Sequence, residues 1–235
     1  VLANSLSDRL ELFPQWDGKP SVEVARGDLH YPDWMFGTWE ATSTLIEQVA
    51  PLSPDIVTPG FEDNQQYLNR PIQFQVKFIE QQLRETKNWF KNRSQVDRTV
   101  IIADLAFNGK NIAEAYLGNK NIVGVKVDPD NPNKQITLLE GERSLISSVT
   151  ERATEIPQVD RFIATEITKQ LFRSPEKIYL NEVETTSDYH LQASGEIDGE
   201  QITAIYLSPQ DPNYFKAIDR PVAIYRYRLH LRLLS

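Results

Sequence analysis

Apolar and polar residues alternate with a period of two along much of this chain, which is the pattern of a strand with one face buried and one solvated. Trp39, Ala41, Ser43 and Leu45 stand on one side of a first strand, with Glu40, Thr42 and Thr44 on the other. Ile72, Phe74, Val76 and Phe78 alternate with Gln73, Gln75 and Lys77 in the cleanest half-buried strand. Near the end, Tyr225, Tyr227, Leu229, Leu231 and Leu233 alternate with Arg226, Arg228, His230 and Arg232. That split predicts a strand with one apolar and one cationic face.

The same reading predicts strands over 99–105, 122–127, 135–139, 144–156, 177–191, 201–207 and 222–234. Residues 161–172 are ambiguous, because Ile163, Ile167 and Leu171 fit helical spacing while Thr165 and Thr168 favour a strand. Asn108 is expected to cap a short helix over 111–117 that ends at Gly118. Asp198-Gly199 and the run Asp128 to Asn133 read as hairpin turns. The polar stretch 80–98, around Trp89 and Phe90, reads as a surface excursion, extended or briefly helical.

Pro51, Pro54, Pro59 and Gly60 enforce a long loop up to Pro71, since proline fixes φ and cannot donate to a ladder. Residues 1–36 are broken by Pro14, Gly18, Pro20, Gly27 and Pro32 and carry Trp16 and Trp34, which suggests an arm whose tryptophans cover the domain surface. There is no internal repeat and no low-complexity segment. The predicted fold is therefore mainly β: an antiparallel meander closing as a barrel over 37–235, with an N-terminal arm (1–36) and one or two short helices.

Composition narrows the chemistry more than the fold. Hydrophobic residues at 40% and charged residues at 25% are ordinary for a globular protein. A net charge of -8 argues against a nucleic-acid partner, which needs a cationic surface. No stretch has the roughly 20 apolar residues of a transmembrane segment. The start Val1-Leu2-Ala3 is the kind of small-residue end a removed export signal leaves. With no cysteine, thiol catalysis and thiolate metal sites are excluded.

Catalytic patterns are sparse. His30, His190 and His230 never take metal-ligand spacing, and no phosphate loop, nucleophile elbow or dinucleotide fingerprint occurs. No cofactor and no metal is expected. Glu182, Glu184, Asp188, Glu196 and Asp198 are clustered enough for an acid and base pair, although charged strand faces explain them more simply. The sequon Asn92-Arg93-Ser94 matters only in a glycosylating host.

The candidate binding residues are aromatic and cationic. Arg226, Arg228 and Arg232 either form a solvated face paired with glutamates such as Glu182 and Glu184, or line a cavity and dock a carboxylate-bearing partner. Phe61, in the loop 57–64, is either part of a rigid connector or the apolar plug of a lid over the barrel mouth, and Tyr225 on the apolar face of the last strand is a further aromatic candidate. Trp34 and Trp39 belong to a dense aromatic entry into the first strand, Tyr31-Pro32-Asp33-Trp34-Met35-Phe36-Gly37-Thr38-Trp39.

Gly37-x-Trp39 together with arginine on the last strand resembles the lipocalin and calycin signature. That resemblance implies Arg226 or Arg228 packed over Trp39, a cation-π contact of about 0.5 to 2 kcal/mol. Tyr31-Pro32-Asp33-Trp34, Gly37-Thr38-Trp39, Val49-Ala50-Pro51-Leu52 and Thr58-Pro59-Gly60-Phe61 resemble an uncharacterised cyanobacterial and chloroplast family over nearly the whole chain. It implies a photosynthetic source and a thylakoid-lumen or periplasmic address. The expected function is then a non-enzymatic accessory or assembly protein of a photosynthetic membrane complex. The alternatives are carriage of a hydrophobic small molecule such as a pigment, lipid or tetrapyrrole, and a chromophore lyase or isomerase.

Overall fold

The computed structural model describes the backbone of residues 5–89 and 92–234, and their side chains outside 84–96. The Val1-Leu2-Ala3 start, Phe90 and the side chains of the 92–94 sequon lie outside the described residues. In chain order come α1 (Leu6–Glu11), β1 (Glu23–Val24), β2 (Gly37–Val49), β3 (Pro71–Trp89), β4 (Asn92–Ala103) and α2 (Leu105–Leu117). Then follow β5 (Ile122–Asp128), β6 (Asn131–Leu139), β7 (Arg143–Gln158), β8 (Arg161–Arg173), β9 (Ile178–Leu191), β10 (Ile197–Leu207), α3 (Tyr214–Ala217) and β11 (Ala223–Leu233).

The strands form one antiparallel sheet in the order β4-β3-β2-β11-β10-β9-β8-β7-β6-β5, to which β1 adds on β7. Every neighbour in the meander is also a sequence neighbour except β2 and β11, which join the two halves. The sheet curls into a half-barrel. Its edges, β4 and β5, do not pair with each other among the described residues; α2 connects them and packs on β3, β5 and β6. The expected closed barrel is thus a half-barrel with a helix laid across its inner face.

Alternation places the core. On the inner face Met35, Trp39, Ala41, Val76, Phe78, Ile101, Ile197, Leu229 and Leu231 fill one end. Leu233 shares that face but is about half exposed at the sheet margin, against the expectation that the whole apolar row is buried. On the outer face the N-terminal arm covers Ile202, Ala204, Tyr206 and Ile224 with Trp16. Further along, Tyr31 bridges to Ile101 of β4, and the Trp34 indole donates to the Val159 carbonyl between β7 and β8, so the arm crosses the end of the half-barrel.

Several local expectations change. The stretch 80–98 is the extended limbs of the β3–β4 hairpin, paired residue for residue from Phe78↔Ala103 to Trp89↔Asn92. The 161–172 segment is strand throughout, because its outer positions Ile163 and Ile167 are wholly buried. Asn108 is not a cap. The cap is Asp104, which accepts from the Phe107 amide, so the helix starts earlier, and Asn108 lies within it and is buried.

Asp198-Gly199 is not a turn either. Both residues lie inside β10, opposite His190 and Tyr189 on one side and His230 and Leu229 on the other. Gly199 is there because a Cβ would stand 2.8 Å from the Asp188 carbonyl oxygen; the strand has no room for one. The turn falls at 192–195, where Gly195 takes φ +86°.

Candidate functional site

The helix α2 is fastened at both ends. The buried Asn108 amide imitates a strand: its Oδ1 accepts from the Lys77 amide at 2.6 Å and its Nδ2 donates to the Lys77 carbonyl at 3.1 Å. At the other end the Tyr116 hydroxyl donates to Ser43 Oγ at 3.3 Å, and its ring meets Tyr67 and Phe74. Burial raises the Tyr116 pKa, against the lowering effect of the Ser43 bond.

Held this way, α2 stands off the far half of the sheet and leaves a cleft of about 590 Å³ between itself and the inner faces of β6, β7, β8 and β9. Its helix wall is mostly apolar, with Leu105, Ile112, Ala113 and the Tyr116 ring beside the engaged Asn108 amide. Its sheet wall carries the hydroxyls of Thr137, Ser147, Thr168 and Thr185 and the amides of Gln135 and Gln170 among the aliphatic side chains of Leu139, Leu145 and Val149. A pocket with apolar surface and a few convergent polar groups is the common form of a small-molecule site. Gly109 lets the helix approach here, since a Cβ would lie 2.6 Å from Gln135 Nε2.

Glu166 stands at one end of the cleft. Its Oε1 accepts from Arg152 Nε at 2.9 Å and from Nη2 at 2.6 Å. Arg152 is further engaged by Asn133 Oδ1 and the Gly27 carbonyl. Tyr31 and Tyr189 lie within range of the same carboxylate, and burial, the first cause, holds both phenols protonated above their ordinary range. A small chamber of about 40 Å³ between Glu166, Arg152 and Tyr31 adjoins the cleft.

The residues predicted from the sequence divide between the two faces. Phe61 and Tyr225 come together, ring centroids 6.0 Å apart, with the Phe61 carbonyl accepting from Gln48 Nε2. The proline-rich loop lays Phe61 on the inner face beside buried Tyr225. Trp39 lies in the core at one end of the half-barrel, where its indole donates to the Met35 carbonyl at 2.8 Å, and Trp34, partly buried, packs against the same cluster.

The arginines are elsewhere. Period two puts Arg226, Arg228 and Arg232 on the outer face and Trp39 on the inner one, so the expected stacking of Arg226 or Arg228 on Trp39 does not form. Arg226 lies over the Phe13 ring at 5.2 Å and bonds Glu200 at 2.7 Å, and Arg232 bonds Glu40 at 2.7 Å. Arg228 is exposed and makes no ion pair among the described residues. The glutamates expected to face these arginines serve the arm instead, Glu184 binding Arg9 and Glu182 binding Lys19, with Lys169 of β8 as a second partner of Glu182.

The cleft itself was missed. Its signal is on β8, where the inner positions change from Phe162 and Ala164 to Glu166, Thr168 and Gln170. A core-facing row that turns polar marks a cavity or a wet groove. Among the described residues no three carboxylate or imidazole side chains could hold a metal ion together, and no helix is long and apolar enough to cross a membrane.

Residues 23–234 match the family described as Domain of unknown function (DUF6816). No curated protein and no solved structure matches the chain.

Proposed function

We propose that this chain, which belongs to the DUF6816 family, is a binding protein that carries a small amphiphilic molecule in the cleft under α2. The observation that carries the reading is the cleft's mixed lining: across about 590 Å³ a mostly apolar helix wall faces a sheet wall that sets hydroxyls and amides among Leu139, Leu145 and Val149. A chain building only a core would fill those inner positions with aliphatic side chains, as it does at the Trp39 end.

The assembly-protein reading rests on family resemblance and on the cationic strand face as a docking surface. That face is largely neutralised within the chain, by Glu200 on Arg226, Asp198 on His230 and Glu40 on Arg232. The lyase or isomerase reading has its minimum parts, since Glu166 and Tyr116 line one cleft beside apolar walls. Glu166 is tied to Arg152, however, and the Tyr116 hydroxyl to Ser43, which suits anchoring better than proton transfer.

The test is extraction. Protein purified without detergent from its native source should release a stoichiometric small molecule on denaturation, detected by mass spectrometry. Ala113→Trp, which fills the cleft from the helix side, should fold and release none. Equal recovery from both proteins would end the proposal.

A further inference from the structure

The charge pattern of the cleft names the class of molecule it suits. Among the described residues lining it, Glu166 is the single ionisable side chain of formal charge at neutral pH, and it is matched by Arg152 through two short bonds to one oxygen, Oε1. The pair is close to neutral as seen from the cleft. An anionic ligand end would meet the Glu166 carboxylate, and a cationic end would meet Arg152 behind it; either would lose hydration without a free counter-charge.

The remaining polar groups are Thr137, Ser147, Thr168 and Thr185, with Gln135 and Gln170, all of which both donate and accept, together with Tyr116, whose hydroxyl bonds Ser43, and Asn108 and Asn133, whose amides bond Lys77 and Arg152. Such a wall matches hydroxyl groups, which also do both. Glu166 Oε2 makes no hydrogen bond within the protein among the described residues, while Oε1 takes both arginine bonds, so one carboxylate oxygen is left to accept from a ligand hydroxyl. Across the cleft, Leu105, Ile112, Ala113 and the Tyr116 ring offer apolar surface, since the Asn108 amide is engaged by Lys77 and the Tyr116 hydroxyl by Ser43.

Resting on the binding reading above, we infer that the ligand is an uncharged, hydroxyl-bearing amphiphile, its polyol face on β6–β9 with one hydroxyl donating to Glu166, its apolar body under α2. Sugar-headed lipids and hydroxylated terpenoids both satisfy this chemistry.

Three probes sharing one eight-carbon tail test it on the intact protein: octyl β-glucoside, octanoate and octylammonium, each below its micelle concentration, titrated by NMR with Ala113→Trp as the site control. The glucoside is expected to bind at least about tenfold more tightly than either ion, through the uncompensated desolvation of a charged head. Glu166→Gln, close to isosteric, unmasks Arg152 and is expected to move the preference toward octanoate. Equal binding of all three, a preference for an ion in the unaltered protein, or an unchanged preference in Glu166→Gln would overturn the ligand class while leaving a binding cleft. No binding of any probe, or binding undiminished in Ala113→Trp, would remove the cleft reading itself.

Discussion

Arg9 and Glu184, 175 residues apart in the chain, meet in a two-point ion pair sealed between the N-terminal arm and the outer face of the sheet, at 2.6 and 2.7 Å. Glu184 is fully buried and Arg9 nearly so, and the carboxylate also accepts from Tyr206 and Thr186 while the guanidinium donates to the Gly18 carbonyl. The Trp16 ring closes the site from above, 3.9 Å from the guanidinium. Burying two charges is favourable only when each is satisfied in this way.

Arg9→Ala is expected to destabilise the fold by about 3 to 5 kcal/mol, because it strands a buried carboxylate. The double variant Arg9→Met, Glu184→Leu should cost clearly less than Arg9→Ala alone. Urea unfolding followed by Trp fluorescence measures both, and a double variant as unstable as the single one would contradict the assignment.

Stability should fall steeply at alkaline pH. Burial, reinforced by the Glu184 carboxylate, raises the Tyr206 pKa far above its ordinary value, and burial likewise raises Tyr227, with help from Tyr116 and Tyr225. In the unfolded chain these phenols ionise near pH 10, at about the ordinary value. Above that pH the folded protein holds more protons than the unfolded one, so stability present in full below about pH 10 is lost as pH rises beyond it. Tyrosinate absorbance and near-ultraviolet circular dichroism should change together. Tyr206→Phe should flatten the decline.

The Gly109 approach can be separated from helix propensity. Alanine there would gain up to about 1 kcal/mol of helix stability but meets the end of the Gln135 side chain. Gly109→Ala in a Gln135→Ala background is therefore expected to stabilise relative to Gln135→Ala alone. Thermal unfolding of the two proteins decides it; a lower midpoint would mean that backbone, not the glutamine, limits the approach.

The two faces of β11 should respond differently to truncation. Arg228→Ala, exposed and without an ion pair among the described residues, should stay within about 0.5 kcal/mol of the parent. Leu231→Ala, three residues on and buried, should cost about 2 to 5 kcal/mol. Chemical denaturation of the pair measures which face carries the packing.

Alternation made the meander legible, because a half-buried strand writes its register into the sequence: Trp39, Ala41 and Leu45 are buried where the pattern puts them. Capping was misassigned at Asn108 because Asn serves equally as a cap and as a mimic of a strand partner, and only the position of Lys77 distinguishes them. Asp198-Gly199 misled for a related reason: glycine marks close backbone approach as well as turns. The alternation itself opposes an Arg226 or Arg228 contact with Trp39, since it assigns them opposite faces. The cleft depends on how far α2 stands from β8, a tertiary distance that no local pattern encodes.

The β2–β11 pairing has a kinetic consequence. Arg232 and Glu40, which meet across it, are 192 residues apart, and the limbs β2–β4 and β5–β10 share no other strand pairing among the described residues. During synthesis the first limb must wait, with the inner face of Trp39 and Val76 uncovered on one side, until β11 has been made and slots between β2 and β10. Such a high contact order predicts slow folding, and a nascent chain halted before Ala223 is the species a chaperone would most often meet.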